Sequence, residues 1–274
     1  MTEAAVQVRL SDKECEAYER DGFVTPAQPL PTHLFTALRS NVDRLIESNP
    51  THRPEQIVCP HILGGADGSL TEDSDLRDFF LELCHHEDIV GMVGQLIGPD
   101  VILWGSQLFS KPPHNGLAIP WHQDGNYWPI DPLAACSVWI AVDEALSENG
   151  CMRVVPGSHR LGLLAHENDD NPDLALNEAL SSGTFDARAA VDVTLQPGQI
   201  SLHDVNLVHG SEANRSSKRR AGMVLRYMPA TSEFKRDFDD QIMTNGARIH
   251  FAKRPIWLVR GENRHPGNSL LRQR

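Results

Sequence analysis

The sequence predicts a mainly β chain with flanking helices, organised round a double-stranded β-helix, and three observations carry that expectation. From Asp100 onward the chain is a series of short apolar or alternating runs separated by Pro, Gly and Asn, which is how the strands of a sandwich or barrel read. Helical patterns do not alternate with those runs, so a parallel βαβ sheet is disfavoured and a jelly roll of the cupin-like kind leads. Helical periodicity is confined to residues 1–99, a segment expected to pack on the outside of the barrel.

Ser11 is placed as the N-cap of a short helix over Asp12 to Arg20, with Gly22 ending it. From Pro31 to about Ser48, Leu34, Leu38, Val42, Leu45 and Ile46 recur at steps of three and four and form one apolar stripe. A third helical stretch runs from Ser74 to about Ile97 and is interrupted near His85 and His86; Leu76, Phe79, Phe80 and Leu83 mark its inner face. The expected strands are Val101–Phe109, Ala135–Val142, Met152–Val155, Val191–Leu195, Ile200–His203, Gly222–Met228 and Ile249–Val259. Between His159 and Val191 lies a long acidic, strand-poor segment, residues 160–190, read as either a functional lid or a partly disordered insertion. The expected organisation is one domain over 1–274, with the barrel core at 100–260 and a tail at 261–274.

With 40% hydrophobic residues the chain can bury a sizeable core. It has no apolar run near the ~20 residues needed to cross a bilayer, and its start lacks a signal pattern. A soluble, cytoplasmic protein with no membrane partner is expected. The five cysteines form no CxxC pair, so they are read as reduced thiols rather than a disulfide framework or a zinc knuckle. A net charge of −12 repels a phosphate backbone, which disfavours nucleic acid as a partner and leaves a small molecule. Residues 215–274 nevertheless hold 14 basic and 5 acidic side chains, read chiefly as a solvated basic rim.

The chemistry concentrates in Pro120-Trp121-His122-Gln123-Asp124-Gly125-Asn126-Tyr127-Trp128-Pro129. In extended chain, residues two apart face the same way, so His122 and Asp124 offer an imidazole and a carboxylate to one point. A facial triad for ferrous iron needs one more imidazole and leaves positions open for oxygen and a chelating co-substrate. His209 is the best third ligand and His203 the rival. By itself a His-x-Asp pair is more often two hydrogen-bonded strand-end residues. The flanking aromatics and the arginine-bearing strand that follows His209 raise the metal reading.

Longer stretches then come into play. Tyr18-Glu19-Arg20-Asp21-Gly22-Phe23-Val24, Lys111-Pro112-Pro113, Trp121-His122-Gln123-Asp124, Val138-Trp139-Ile140-Ala141-Val142-Asp143, the run from Glu148 to His159, and His209-Gly210-Ser211 with Asn214 and Arg220 span most of the chain in order. In these the sequence resembles the phytanoyl-CoA dioxygenase family of iron(II)- and 2-oxoglutarate-dependent oxygenases. The resemblance implies that His122, Asp124 and His209 hold the iron. It implies that Arg220, eleven residues after His209, pairs with the distal carboxylate of 2-oxoglutarate, supported by Ser211. A guanidinium fork suits that role because it donates two parallel hydrogen bonds; Arg219 and Arg215 are the decoys. The carboxylate at Asp124 implies hydroxylation rather than halogenation, with O2 consumed and succinate and CO2 released.

Other residues follow from alternation. If the strand continues from Arg220, then Gly222, Val224 and Arg226 share its face, and Arg226 would contact an anionic substrate or co-substrate unless a bulge turns it outward. Trp139, on one face with Ser137 and Ala141, would wall the co-substrate pocket. Gln107 and Lys111 are polar residues in an apolar run and are read as cavity lining, Gln107 toward the co-substrate and Lys111 toward the substrate. Asn126, Tyr127 and Trp128 are placed at the substrate entrance. His61, His85, His86, His114, His159 and His166 are treated as structural or surface residues. The expected substrate is a small polar or anionic metabolite such as an amino-acid derivative or organophosphonate. An acyl-CoA or natural product acted on by the same centre, or a catalytically silent binding protein, are the alternatives.

Overall fold

A computed structural model describes residues 8–64, 71–237, 241–242 and 248–271. Its helices are α1 (Asp12–Asp21), α2 (Thr32–Glu47), α3 (Ser74–Cys84) and α4 (Glu87–Ile97). The strands are β1 (Phe23–Val24), β2 (Ile57–Val58), β3 (Val101–Lys111), β4 (Ile119–His122), β5 (Ile130–Asp131), β6 (Cys136–Ala141), β7 (Met152–Val154), β8 (His166–Asn168) and β9 (Glu178–Leu180). They continue with β10 (Val191–Val193), β11 (Ile200–Asp204), β12 (His209–Ser211), β13 (Arg220–Pro229), β14 (Glu233–Phe234), β15 (Gln241–Ile242), β16 (Arg248–Ile249) and β17 (Trp257–Arg260). No helix among the described residues is long and apolar enough to cross a membrane.

Local chemistry accounts for the helix ends. Ser11 and Glu14 form a reciprocal capping box at the start of α1, and Gly22, at φ +81°, closes it in the left-handed region. The expected interruption at His85 and His86 separates α3 from α4: His85 caps the first and His86 starts the second.

Two antiparallel sheets face each other. The larger runs β1-β11-β6-β13-β3-β17, with β2 beside β3; the smaller runs β10-β7-β12-β4. Period two sorts the side chains of the larger sheet. In β6, Cys136, Val138 and Ile140 join the core beneath the helices, whereas Trp139 and Ala141 belong to the apolar cluster between the sheets. In β13, Ala221, Met223, Leu225 and Tyr227 take the helix side, and Val224 takes the inter-sheet side. Because both faces are buried, these strands read as near-continuous apolar runs.

Two expectations need correction. Ile249–Val259 is not one strand: β16 pairs with β15, the chain turns where Arg254 N–H donates to Phe251 O (3.2 Å), and only Trp257–Arg260 rejoins the large sheet. Pro255, which has no N–H to give a ladder, follows that turn. The acidic segment is also less strand-poor than expected, since β8 and β9 pair within it, His166 opposite Leu180.

His61 contributes an acid sensitivity. Its fully buried ring sits edge-on to Trp257 with Nδ1 2.6 Å from Ser106 Oγ. Burial first, then the charges of Arg254 and His85, push its pKa well below the usual 6.5. Below about pH 6.5 the unfolded chain therefore binds a proton that the folded one refuses, and stability falls on acidification by up to about 1.4 kcal/mol per pH unit for this group. Urea denaturation between about pH 6.5 and 5 should show a shallower loss for His61→Gln than for the parent; equal slopes would show that His61 is not the group responsible.

Candidate active site

The smaller sheet sets two imidazoles side by side. β4 and β12 are neighbours with His122 directly opposite His209, and the ring centroids lie 4.1 Å apart. Each Nδ1 stands 2.9 Å from a main-chain carbonyl, Pro120 O for His122 and Leu207 O for His209. A carbonyl only accepts, so each Nδ1 carries the hydrogen and each Nε2 is left with a lone pair for the centre. After His122 the chain enters a single 3-10 turn, Asp124–Asn126, which returns Asp124 so that Oδ1 is 3.7 Å from His122 Nε2. Ser137 on β6 donates to Asp124 Oδ2 at 3.0 Å and fixes the carboxylate.

One ligand atom from each of His122, Asp124 and His209 lies within 4.8 Å of the others, and all three residues are buried. Burial, with the neighbouring His122, holds His209 well below its usual pKa, so it is neutral. Burial opposes ionisation of Asp124, but the imidazoles of His122 and His203, aided by His209 and Arg226, outweigh it and keep the carboxyl well below the usual range. Two imidazoles and one carboxylate on a single side of the centre fit a divalent first-row metal with open positions. His203 lies across the gap on β11, with Nε2 3.6 Å from Asp124 Oδ2, and stands outside that ligand cluster.

The triad opens onto a cavity between the sheets, about 440 Å³ with its mouth included, which Trp139, Ser211, Arg220, Val224 and Arg226 also line. Arg220 begins β13 and is 2% exposed. Its Nε donates to Gly150 O at 3.0 Å, Nη1 to Phe109 O at 3.3 Å and Nη2 to Ser211 Oγ at 3.5 Å. Its guanidinium carbon sits 5.6 Å from the Trp139 ring centroid. Burial lowers its pKa to about 10, which leaves it cationic near neutral pH. It forms no ion pair with a carboxylate among the described residues. Arg219, one residue earlier, faces the opposite way and is gripped by Asp143 (2.7 and 3.1 Å) and Asp43 (2.6 Å).

Gly222 keeps the cavity wall in place. A Cβ there would overlap the Trp139 indole, so Gly222→Ala should destabilise the protein by about 1 to 3 kcal/mol through overpacking. An unchanged urea midpoint would contradict that packing.

Several expected contacts fall elsewhere. Lys111 is fully buried, and its side-chain nitrogen donates to Ser211 Oγ (2.6 Å) and Glu212 O (2.5 Å), so it props the end of β12 and does not line the cavity. Burial, with the charge of Arg220, depresses its pKa well below the usual value. Gln107 does not line the cavity; its Oε1 accepts from Arg226 Nη2 at 2.9 Å. Trp128 is buried edge-on against Trp104, centroids 4.5 Å apart, and belongs to the core. Asn126 donates to the Glu178 carboxylate and Tyr127 OH to Glu178 O, which ties the Asp124–Asn126 turn to β9. Arg226 does line the cavity: the bulge falls between Arg226 and Tyr227 and does not turn it away.

Sequence reasoning passed over Gln123. Its amide side chain donates to Gly162 O (2.8 Å) and Asn206 O (2.6 Å) and accepts from Leu164 N (2.7 Å), stapling both neighbouring loops to the Asp124–Asn126 turn. Its position between His122 and Asp124, hence on the opposite face, was the available signal. His166, set aside as structural, braces the same turn by accepting the Gln123 amide at 3.1 Å.

Comparison with known proteins agrees with this geometry. The family model for phytanoyl-CoA dioxygenase (PhyH) matches residues 18–222. A probable phytanoyl-CoA dioxygenase of Caenorhabditis elegans is 27% identical over 236 residues, 80% of this chain and 75% of that protein. An ectoine dioxygenase of Streptomyces anulatus is 26% identical over 228 residues, 78% and 76% of the two chains. Among solved structures, the apo non-heme monooxygenase ThoJ superposes with a TM-score of 0.70 at 25% identity, covering 95% of this chain and 87% of that one. With the matched region spanning both imidazoles, the carboxylate and the buried arginine, the chain belongs to the phytanoyl-CoA dioxygenase family of iron(II)- and 2-oxoglutarate-dependent oxygenases.

Proposed function

We propose that the protein hydroxylates a small polar or anionic metabolite, such as an amino-acid derivative or an organophosphonate, with 2-oxoglutarate as co-substrate. In this reading His122, Asp124 and His209 are the iron ligands. Arg220, with Ser211 and Trp139, receives the distal carboxylate of 2-oxoglutarate. Ferrous iron bound there, with O2 and 2-oxoglutarate, supplies an oxidant able to replace a C–H bond by C–OH, with release of succinate and CO2.

The chain's own residues do the positioning. Pro120 O and Leu207 O fix both imidazole tautomers, and Ser137 holds the carboxylate. Arg220 draws the far end of the co-substrate into the barrel, where its carboxylate neutralises the buried guanidinium. Phe109, Ile119 and Val224 give the cavity apolar walls that exclude water from the reacting carbon. The observation that carries the reading is the coincidence, in one cavity, of a metal-competent triad and a buried arginine with no ion-paired acid among the described residues. The similarity to an ectoine dioxygenase over three quarters of the chain supports a small-molecule substrate.

The test is succinate formation from 2-oxoglutarate with ferrous salt and air across a panel of amino acids, their cyclic derivatives and organophosphonates. At least one compound should raise turnover well above the uncoupled background. Absence of succinate under every condition would favour a silent binding protein.

A further inference from the structure

Among the described residues, Arg220 is not the only buried guanidinium without an ion-paired acid. Arg254 is 2% exposed; Nη1 reaches Cys59 Sγ at 2.9 Å, while Nε and Nη2 have no hydrogen-bond partner. Arg226 gives Nη2 to Gln107, but its Nε is unpartnered, as are Gln107 Nε2 and Trp104 Nε1. Among the described residues neither arginine forms an ion pair with a carboxylate at salt-bridge distance. Arg226, Arg254 and Trp104 line one small cavity together with Trp128 and Phe251. Arg226 also lines the larger cavity at the triad, so it stands in the wall between the two.

Everything unsatisfied here is a donor. Buried donors are normally paired, and an unpaired buried charge costs several kcal/mol, so such a set marks a place kept for an acceptor. The rings hold both forks in position: Arg226 lies 5.2 Å from the Trp128 centroid and 5.7 Å from that of Trp104, and Arg254 lies 5.5 Å from that of Phe251. Gly105, mid-strand in β3, lies beside both arginines. A Cβ there would sit in ordinary contact, at 3.7 Å, with both Arg226 Cδ and Arg254 Nη1, which places this position between the two side chains. The turn that breaks the expected strand before β17 is what places Arg254 inward.

We propose that Arg226 and Arg254 form the anchoring subsite for the carboxylate, or an equivalent oxyanion, of the primary substrate. This rests on the oxygenase reading above and adds a class to it: an acid held at two guanidiniums, with its remainder directed past Arg226 to the triad. Arg220 is left to the co-substrate, so the two anions are kept apart by separate arginines.

The test has two arms, both on the full chain. In the first, the protein loaded with Mn(II) and saturating 2-oxoglutarate is titrated with potassium acetate against potassium chloride at matched ionic strength, and thermal unfolding is followed. Acetate should raise the unfolding temperature saturably in the parent and in Arg188→Gln, an exposed control. It should fail to do so in Arg254→Gln and Arg226→Gln. If Arg254→Gln does not fold, Arg254→Lys, which keeps the charge but loses the fork, should bind acetate at least tenfold more weakly. In the second arm, succinate formation is measured with matched pairs of carboxylic acids and their primary amides. Acids should stimulate at least tenfold more than amides.

A saturable acetate response that persists in both glutamine variants overturns the subsite. A response lost in both, with amides stimulating as well as acids, identifies an adventitious anion pocket only and overturns the substrate assignment. Uncoupled succinate formation that no acid stimulates overturns the subsite while leaving the oxygenase reading in place; no succinate at all removes both.

Discussion

Asp124→Ala should abolish iron-dependent turnover while the fold survives. Asp124 is the only anionic member of the ligand cluster, and its carboxylate is held by Ser137 on one oxygen while the other faces His122. Losing it leaves two imidazoles, a donor set with neither the carboxylate charge nor the third corner that a facial site needs. Loss of an outer-shell partner alone typically costs about 10- to 100-fold in affinity or activity, so loss of this first contact should exceed about 100-fold in kcat. Stimulated succinate formation at saturating ferrous salt is the assay, and circular dichroism checks the fold. A variant with full activity would remove Asp124 from the ligand set.

Arg220→Ala should act on the co-substrate. Truncating one member of a buried charge pair costs about 2 to 5 kcal/mol, so the KM for 2-oxoglutarate should rise by about 30-fold or more. Arg219→Ala is the internal control. Its guanidinium is already neutralised by Asp143 and Asp43, away from the cavity, so its removal should leave that KM unchanged. If the Arg219 variant alone loses 2-oxoglutarate, the register of β13 has been misread.

What was legible in the sequence follows from how far each signal reaches. The period of extended chain points His122 and Asp124 the same way, and the structure brings them together, although a 3-10 turn begins at Asp124. The preference for Arg220 over Arg219 came from the resemblance, through its spacing from His209; the structure sets Arg220 at the cavity and Arg219 against Asp143 and Asp43. The long antiparallel strands were legible because burial on both faces makes them apolar throughout. The β8–β9 hairpin was not, since His166-Glu167-Asn168 is largely exposed and carries no apolar alternation. Lys111 and Gln107 do not line the cavity for a different reason. Each is satisfied by a residue far along the chain, Ser211 and Arg226 respectively, and no local pattern reports a partner. Arg254 went unnoticed for the same reason, hidden in a run that read as uninterrupted strand.

The central claim is that His122, Asp124 and His209 hold one metal while Arg220 holds the co-substrate. A crystal grown without oxygen in Mn(II) and 2-oxoglutarate, with anomalous scattering recorded for manganese, tests it most directly. The expected result is a single strong peak between Nε2 of His122, a carboxylate oxygen of Asp124 and Nε2 of His209, with the distal carboxylate of 2-oxoglutarate on the Arg220 fork. A peak bound through His203 in place of one of these ligands, or a co-substrate whose far end avoids Arg220, would contradict it.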